Sequence, residues 1–175
     1  LRKGLQKKDI PLEYAKELEN IIKIYDSAVN TGNDSLNLIL NEKSLICRKM
    51  DISLKCFADC SKLDFISDVD IYSLFGNAID NALEAVINID DKSKRKINVI
   101  VKNINDFVSI SIENFYQGEI VLSSDGLPIS TKKNKNIHGF GLKSIQMLVE
   151  KYNGDFTFST DNGIFSLMIL FNIKK

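Results

Sequence analysis

Hydrophobic positions divide the chain into two textures. Between Pro11 and Val29, apolar residues recur at Leu12, Ala15, Leu18, Ile22, Tyr25 and Val29. That three-and-four spacing is the seam of an amphipathic helix. Thr31-Gly32-Asn33-Asp34 breaks it. Gly32 suits a helix end, and Asn33 or Asp34 suits the N-cap of a second helix through Leu36, Ile39, Leu40 and Ile46. Helices with so few core residues need a partner, either as an N-terminal helical subdomain or as part of a dimerising hairpin.

From about Asp51 the period changes. Residues 52–57 alternate like a strand. A helix follows near Asp70, with Asp68 or Asp70 suited to cap it. Ile97–Ile104 and Phe107–Glu113 alternate again around the turn pair Asn105-Asp106. The stretch Asn114–His138 is polar and aperiodic, and such length inside a compact domain marks a functional loop. A helix over Gly139–Tyr152 comes next. Strands Asp155–Thr160 and Ile164–Ile173, joined through Asp161-Asn162-Gly163, close the chain. The order β, α, β, β, loop, α, β, β predicts an α+β sandwich, one mixed sheet with helices on one face. Residues 1–48 form the helical segment and residues 49–175 the second domain.

Composition narrows the function classes. Lys plus Arg and Asp plus Glu both number 23. Zero net charge gives no basic excess to steer a polyanion, which argues against a nucleic-acid binder. No apolar run approaches the roughly 18 residues of a membrane span, and no signal peptide is visible. The chain starts at Leu1 rather than Met and is read as a fragment, so a membrane segment belongs upstream if there is one. Cys47, Cys56 and Cys60 fit no zinc spacing and read as reduced thiols.

The chemistry concentrates in two places. In Asp70–Ile87, the residues Ile71, Leu74, Phe75, Ala78, Ala82, Ala85 and Val86 make one apolar stripe. Beside it Ser73, Asn77, Asn81 and Glu84 recur at four, four and three, so their side chains stack on one face. Asparagines are poor helix formers, and placing two of them at the edge of a buried face is costly unless each amide finds a partner. Either they cap neighbouring loops, or an amide oxygen serves a hard cation such as Mg²⁺. The second place is Ile137-His138-Gly139-Phe140-Gly141-Leu142. Glycines at a helix start let the backbone approach an anion. Ser130-Thr131-Lys132-Lys133 precedes it, either as a solvated loop or as a lid whose charges reach phosphates. His138 suits phosphate contact or helix capping.

GNAIDNALEA (Gly76–Ala85) resembles the N-box of the Bergerat-fold, or GHKL, ATPases, and HGFGL (His138–Leu142) resembles their second glycine box. Spacing, lid length and strand order agree over nearly the whole chain. The resemblance implies a Bergerat-type two-layer α/β sandwich that binds ATP and Mg²⁺. TGNDSLNLILNEKS (Thr31–Ser44), the following DISLKC, and STKKNKNIHGFGL (Ser130–Leu142) are similar to AgrC-like peptide quorum-sensing histidine kinases. By that resemblance Asn77 matches the Mg²⁺-binding asparagine, Asn81 contacts the nucleotide, and Asn114 stands where relatives place the Asp that reads adenine. Gly139 and Gly141 cradle phosphates, with His138 and Leu142 on the same box, and Lys132 or Lys133 reaches in from the lid.

Departures from the family pattern are specific. The base-reading position is Asn rather than Asp, and Phe115, Tyr116 and Gln117 replace the usual D-x-G-x-G. A neutral acceptor makes a weaker hydrogen bond than a charged one, which implies weaker ATP binding. Ser73 replaces the Glu that activates water in hydrolytic relatives, as suits a kinase. Glu84 stands where many kinases carry Lys. The phosphoacceptor histidine belongs to a helix upstream of this fragment. The resemblance thus implies a cytoplasmic catalytic domain of a membrane-anchored two-component sensor, dimeric when full length, serving a response regulator. The competing expectation is a scaffold with a vestigial pocket, favoured by the missing first glycine box.

Overall fold

The computed structural model of the chain describes residues 30–124, 126–128 and 141–174. The seam expected over Pro11–Val29 lies outside the described residues. The first described helix, α1, spans Asp34–Lys49. Asn33, extended at φ −133°, caps it by accepting the Leu36 N–H at 2.9 Å. Asp34 in the first turn and Arg48 and Lys49 in the last complement the helix dipole. Just ahead, buried Thr31 is fastened twice. Its N–H donates to Asn37 Oδ1 at 2.8 Å, and its carbonyl accepts from the Cys60 N–H at 3.2 Å.

Strand β1 (Ser53–Ala58) follows, then the long helix α2 (Asp68–Ile87) and a single 3-10 turn at Lys92–Lys94. After it come β2 (Lys96–Ile104), β3 (Phe107–Phe115), α3 (Gly141–Lys151), β4 (Asp155–Asp161) and β5 (Ile164–Asn172). The five strands form one mixed sheet in the order β1-β2-β3-β5-β4. β1 pairs parallel with β2 and the other neighbours are antiparallel. The parallel pair needs a crossover, and α2 supplies it. The hairpins turn where expected. Asn105 takes φ +53°, and Asn162 and Gly163 take +52° and +75°, the left-handed pair that a two-residue turn demands.

Period two sorts the sheet into faces. Ile97, Val99 and Val101, Val108, Ile110 and Ile112, and Leu167, Ile169 and Phe171 are all buried on one face. Helices cover that face, with α2 lying across β2 and β3. The opposite face is open, with Phe57 69% exposed on it. Burial of this single apolar cluster is the main favourable term, about 25 cal/mol per Å² removed from water. Leu36, Ile39, Leu40 and Cys47 of α1 belong to the same cluster.

One local expectation is corrected. Neither Asp68 nor Asp70 caps α2. Ser67 does, accepting the Asp70 N–H, and the helix starts two residues before the predicted Asp70. Both aspartates are engaged across the fold instead. Asp68 accepts from the Ser35 hydroxyl of α1, and Asp70 from Lys151 and Tyr152 at the end of α3.

Candidate functional site

The polar stripe of α2 stays out of the core. Ser73, Asn77 and Asn81 are half-buried and Glu84 is exposed. The two flanks of the stripe belong to other helices. On one side, α1 runs beside α2 in the same direction, with Ser35 at Asp68 and Lys43 at Asp80. On the other, α3 runs antiparallel, with Gly141 at Asn81 and Lys151 at Asp70. Eleven residues separate Asp70 from Asn81 and ten separate Gly141 from Lys151, rises of about 16 and 15 Å. The pair is therefore matched in length between its two contacts.

The contact at Gly141 is the closest feature of the site. A Cβ on Gly141 would lie 2.8 Å from Asn81 Oδ1 and 3.0 Å from Nδ2. With the Asn81 amide in this position, the first described residue of α3 has no room for a side chain. The Asn81 Nδ2 is buried and has no hydrogen-bond partner among the described residues. An unpaired buried donor costs about 1–3 kcal/mol. Here it sits where the two sequence motifs converge.

The far end of the α2–α3 pair is clamped. Lys151 Nζ lies 2.6 Å from Asp70 Oδ2, and Tyr152 and Ser67 hydroxyls donate to the same oxygen. The hydrogen bonds from Lys151, Tyr152 and Ser67 hold the Asp70 carboxyl down to about 2. The same pair raises the Lys151 ammonium above its ordinary range.

Asn114 closes the buried face at the end of β3 and is 5% exposed. Its Nδ2 donates to the Phe115 carbonyl at 2.8 Å, so the amide oxygen is the atom left to accept. Leu142 packs half-buried against the core. Lys132, Lys133, His138 and Gly139 lie outside the described residues. Part of the loop after β3 is described. The Leu122–Pro128 bridge, with the Ser123 N–H donating to the Leu127 carbonyl at 2.8 Å, forms a tight turn that aperiodic sequence did not announce.

Two residues escaped sequence reasoning. Lys43 continues the buried spacing of Leu36, Leu40 and Cys47 and is 8% exposed. A charge on a core register was the available signal. Tyr152 reads as a helix-end aromatic, and nothing local links it to Asp70, 82 positions away. The cysteines add no chemistry. Burial pushes Cys47 and Cys56 up to about 11, so both are protonated thiols at neutral pH.

Comparison with known proteins bears on the family and the fold. Residues 66–172 match the GHKL domain. A probable C4-dicarboxylate sensor kinase of Halalkalibacterium halodurans is 26% identical over 171 residues, covering 94% of this chain and 32% of the relative. The chain thus spans about a third of that protein. Among solved structures, the catalytic domain of histidine kinase ThkA superposes with a TM-score of 0.60 at 16% identity, over 83% of this chain and 96% of that one. Acinetobacter baumannii histidine kinase AdeS gives 0.56 at 12% identity, over 93% and 78%. At such identities the likeness is one of fold, that of histidine kinase catalytic domains. Among the described residues no helix is long and apolar enough to cross a membrane. Since the match covers more than half of the chain and takes in α2, Asn81 and Gly141 together, the chain belongs to the GHKL domain family.

Proposed function

We propose that this chain is the ATP-binding catalytic domain of a two-component sensor histidine kinase. The observation that carries the reading is the buried Asn81 Nδ2 against Gly141, without a partner among the described residues, where the N-box helix meets the second glycine box. A buried donor beside a glycine-only backbone approach suits phosphate oxygens. Asn77, one turn before Asn81 on the same stripe, would hold Mg²⁺ through its amide oxygen. When bound, that ion neutralises charge on the phosphates. Asn114 would accept the adenine amino group on its amide oxygen. Gly139, Gly141 and Leu142 would line the phosphate side, with Lys132, Lys133 and His138 contributing from the lid.

In the reaction a histidine nitrogen attacks the γ-phosphorus, the bond to the β-phosphate oxygen breaks, ADP leaves and the imidazole proton is lost. The domain's part is positioning and charge placement, as phosphoryl transfer requires. The acceptor histidine lies on a dimerisation helix of the full-length kinase, and the phosphoryl then passes to an aspartate of a response regulator. The linker and lid sequences support an AgrC-like, peptide-sensing, membrane-anchored homodimer. The similarity to a probable C4-dicarboxylate sensor kinase supports a small-dicarboxylate input instead.

Isothermal titration with Mg²⁺ and a non-hydrolysable ATP analogue tests the nucleotide site. Saturable binding that Asn77→Ala weakens supports the reading. No binding by the folded chain at millimolar nucleotide overturns it in favour of a scaffold.

A further inference from the structure

The helix ahead of the family-matched span grips the N-box through a buried charge. Lys43 of α1 points into the α1–α2 seam and is 8% exposed. Its Nζ lies 2.8 Å from Asp80 Oδ1 and 3.5 Å from Glu42 Oε1. Glu42 in turn accepts the Tyr72 hydroxyl at 2.7 Å. Four side chains thus tie α1 to α2 in one network. The same seam is close at Gly76, where Ile39 Cδ1 would lie 3.7 Å from an added Cβ. Gly76 immediately precedes Asn77, and Asp80 stands between Asn77 and Asn81. α1 also holds α2 nearer its start, at Asp68 and Tyr72, but the Gly76 and Asp80 contacts fall on the segment that carries the two amides.

Stability does not explain the choice of lysine. Burying an ammonium is costly, and a hydrophobic residue of similar length at such a position is often neutral or stabilising. What the ion pair adds is direction. Burial works against the Lys43 ammonium, yet the hydrogen bond and charge of Asp80, with Glu42, leave its pKa raised, so the cation persists. The charge-assisted bond at 2.8 Å draws Asp80, and with it that turn of α2, toward α1.

We propose that Lys43 is a positioning residue for nucleotide binding: its ion pair with Asp80 sets the orientation of Asn77 and Asn81 on α2. This rests on the nucleotide reading above.

The test is a double-mutant cycle on this chain. Lys43→Met, Asp80→Asn and the double variant are titrated with a non-hydrolysable ATP analogue in Mg²⁺, beside thermal denaturation. Each single change weakens binding several-fold while the melting temperature moves little. The double variant is no weaker than either single one, because both remove the same contact. Lys43→Arg, which keeps the charge, retains most of the affinity. Should Lys43→Met not fold, Asp80→Asn carries the comparison, since the Asp80 side chain is 50% exposed and Glu42 still faces Lys43. Wild-type binding that none of the variants changes overturns the proposal. So does a loss that tracks the melting temperature alone. If the wild-type chain itself binds no nucleotide, the nucleotide reading has failed first and this one falls with it.

Discussion

Asn81 and Gly141 are in contact so close that the glycine's missing side chain is what makes room for the amide. The consequence is testable by restoring one carbon. Gly141→Ala places a methyl 2.8 Å from Asn81 Oδ1. The obstructed atoms are the end of a flexible side chain, so the amide swings aside and the fold survives at a cost of about 1 kcal/mol. Binding of the ATP analogue falls about tenfold. Titration calorimetry and chemical denaturation on the same sample separate the two effects, and an unchanged affinity would remove Gly141 from the site.

Removing the unpaired amide separates stability from function. Asn81→Ala eliminates a buried donor that is unpaired among the described residues. Without nucleotide the variant is as stable as the wild type or more so, by up to about 1 kcal/mol. With nucleotide it loses the ligand-induced rise in melting temperature that the wild type shows. A marked loss of stability in the free variant would mean that Asn81 serves the fold instead.

Asp70 makes stability depend on pH in a defined window. Its carboxyl sits at about 2 in the fold, lowered first by the Lys151 hydrogen bond, against about 3.9 in an unfolded chain. The unfolded state therefore takes up a proton first as pH falls. The contribution is fully present above about pH 4 and disappears between about pH 4 and 2. Melting temperatures from pH 2 to 6 should show that decline in the wild type. In Asp70→Asn this component is absent, and identical profiles would contradict the clamp.

Asn114→Asp would install the acid that the family resemblance implies at this position, yet it should not improve binding. The Asn114 Nδ2 donates to the Phe115 carbonyl. A carboxylate there would face that carbonyl oxygen at a position 5% exposed. The expected cost is about 1–3 kcal/mol of stability, with weaker nucleotide binding at pH 8 than the wild type. Tighter binding would show that the Phe115 contact does not fix the amide.

Much of the fold was legible because local signals were strong. The strands were readable from period two, and both hairpins from Asn105 and the Asn162-Gly163 pair, whose left-handed angles few residues tolerate. The α1 cap was narrowed to Asn33 or Asp34 for the same local reason, and Asn33 takes it. The α2 cap was not. Ser67, Asp68 and Asp70 all suit a cap, and what assigns the role to Ser67 is that α1 and α3 take the two aspartates. The site was half legible. Spacing placed Asn77 and Asn81 on one stripe but could not tell them apart. Only the approach of α3 distinguishes Asn81, by covering its amide, whose Nδ2 has no partner among the described residues. Lys43 is invisible to motif reading because its meaning depends on a helix 37 positions away at Asp80.

The double fastening of Thr31 has a mechanical consequence. With its N–H held by Asn37 and its carbonyl by the Cys60 N–H, Thr31 staples the entry of α1 to the segment that follows β1. A displacement of either one would be felt by the other, although 29 positions of sequence separate Thr31 from Cys60.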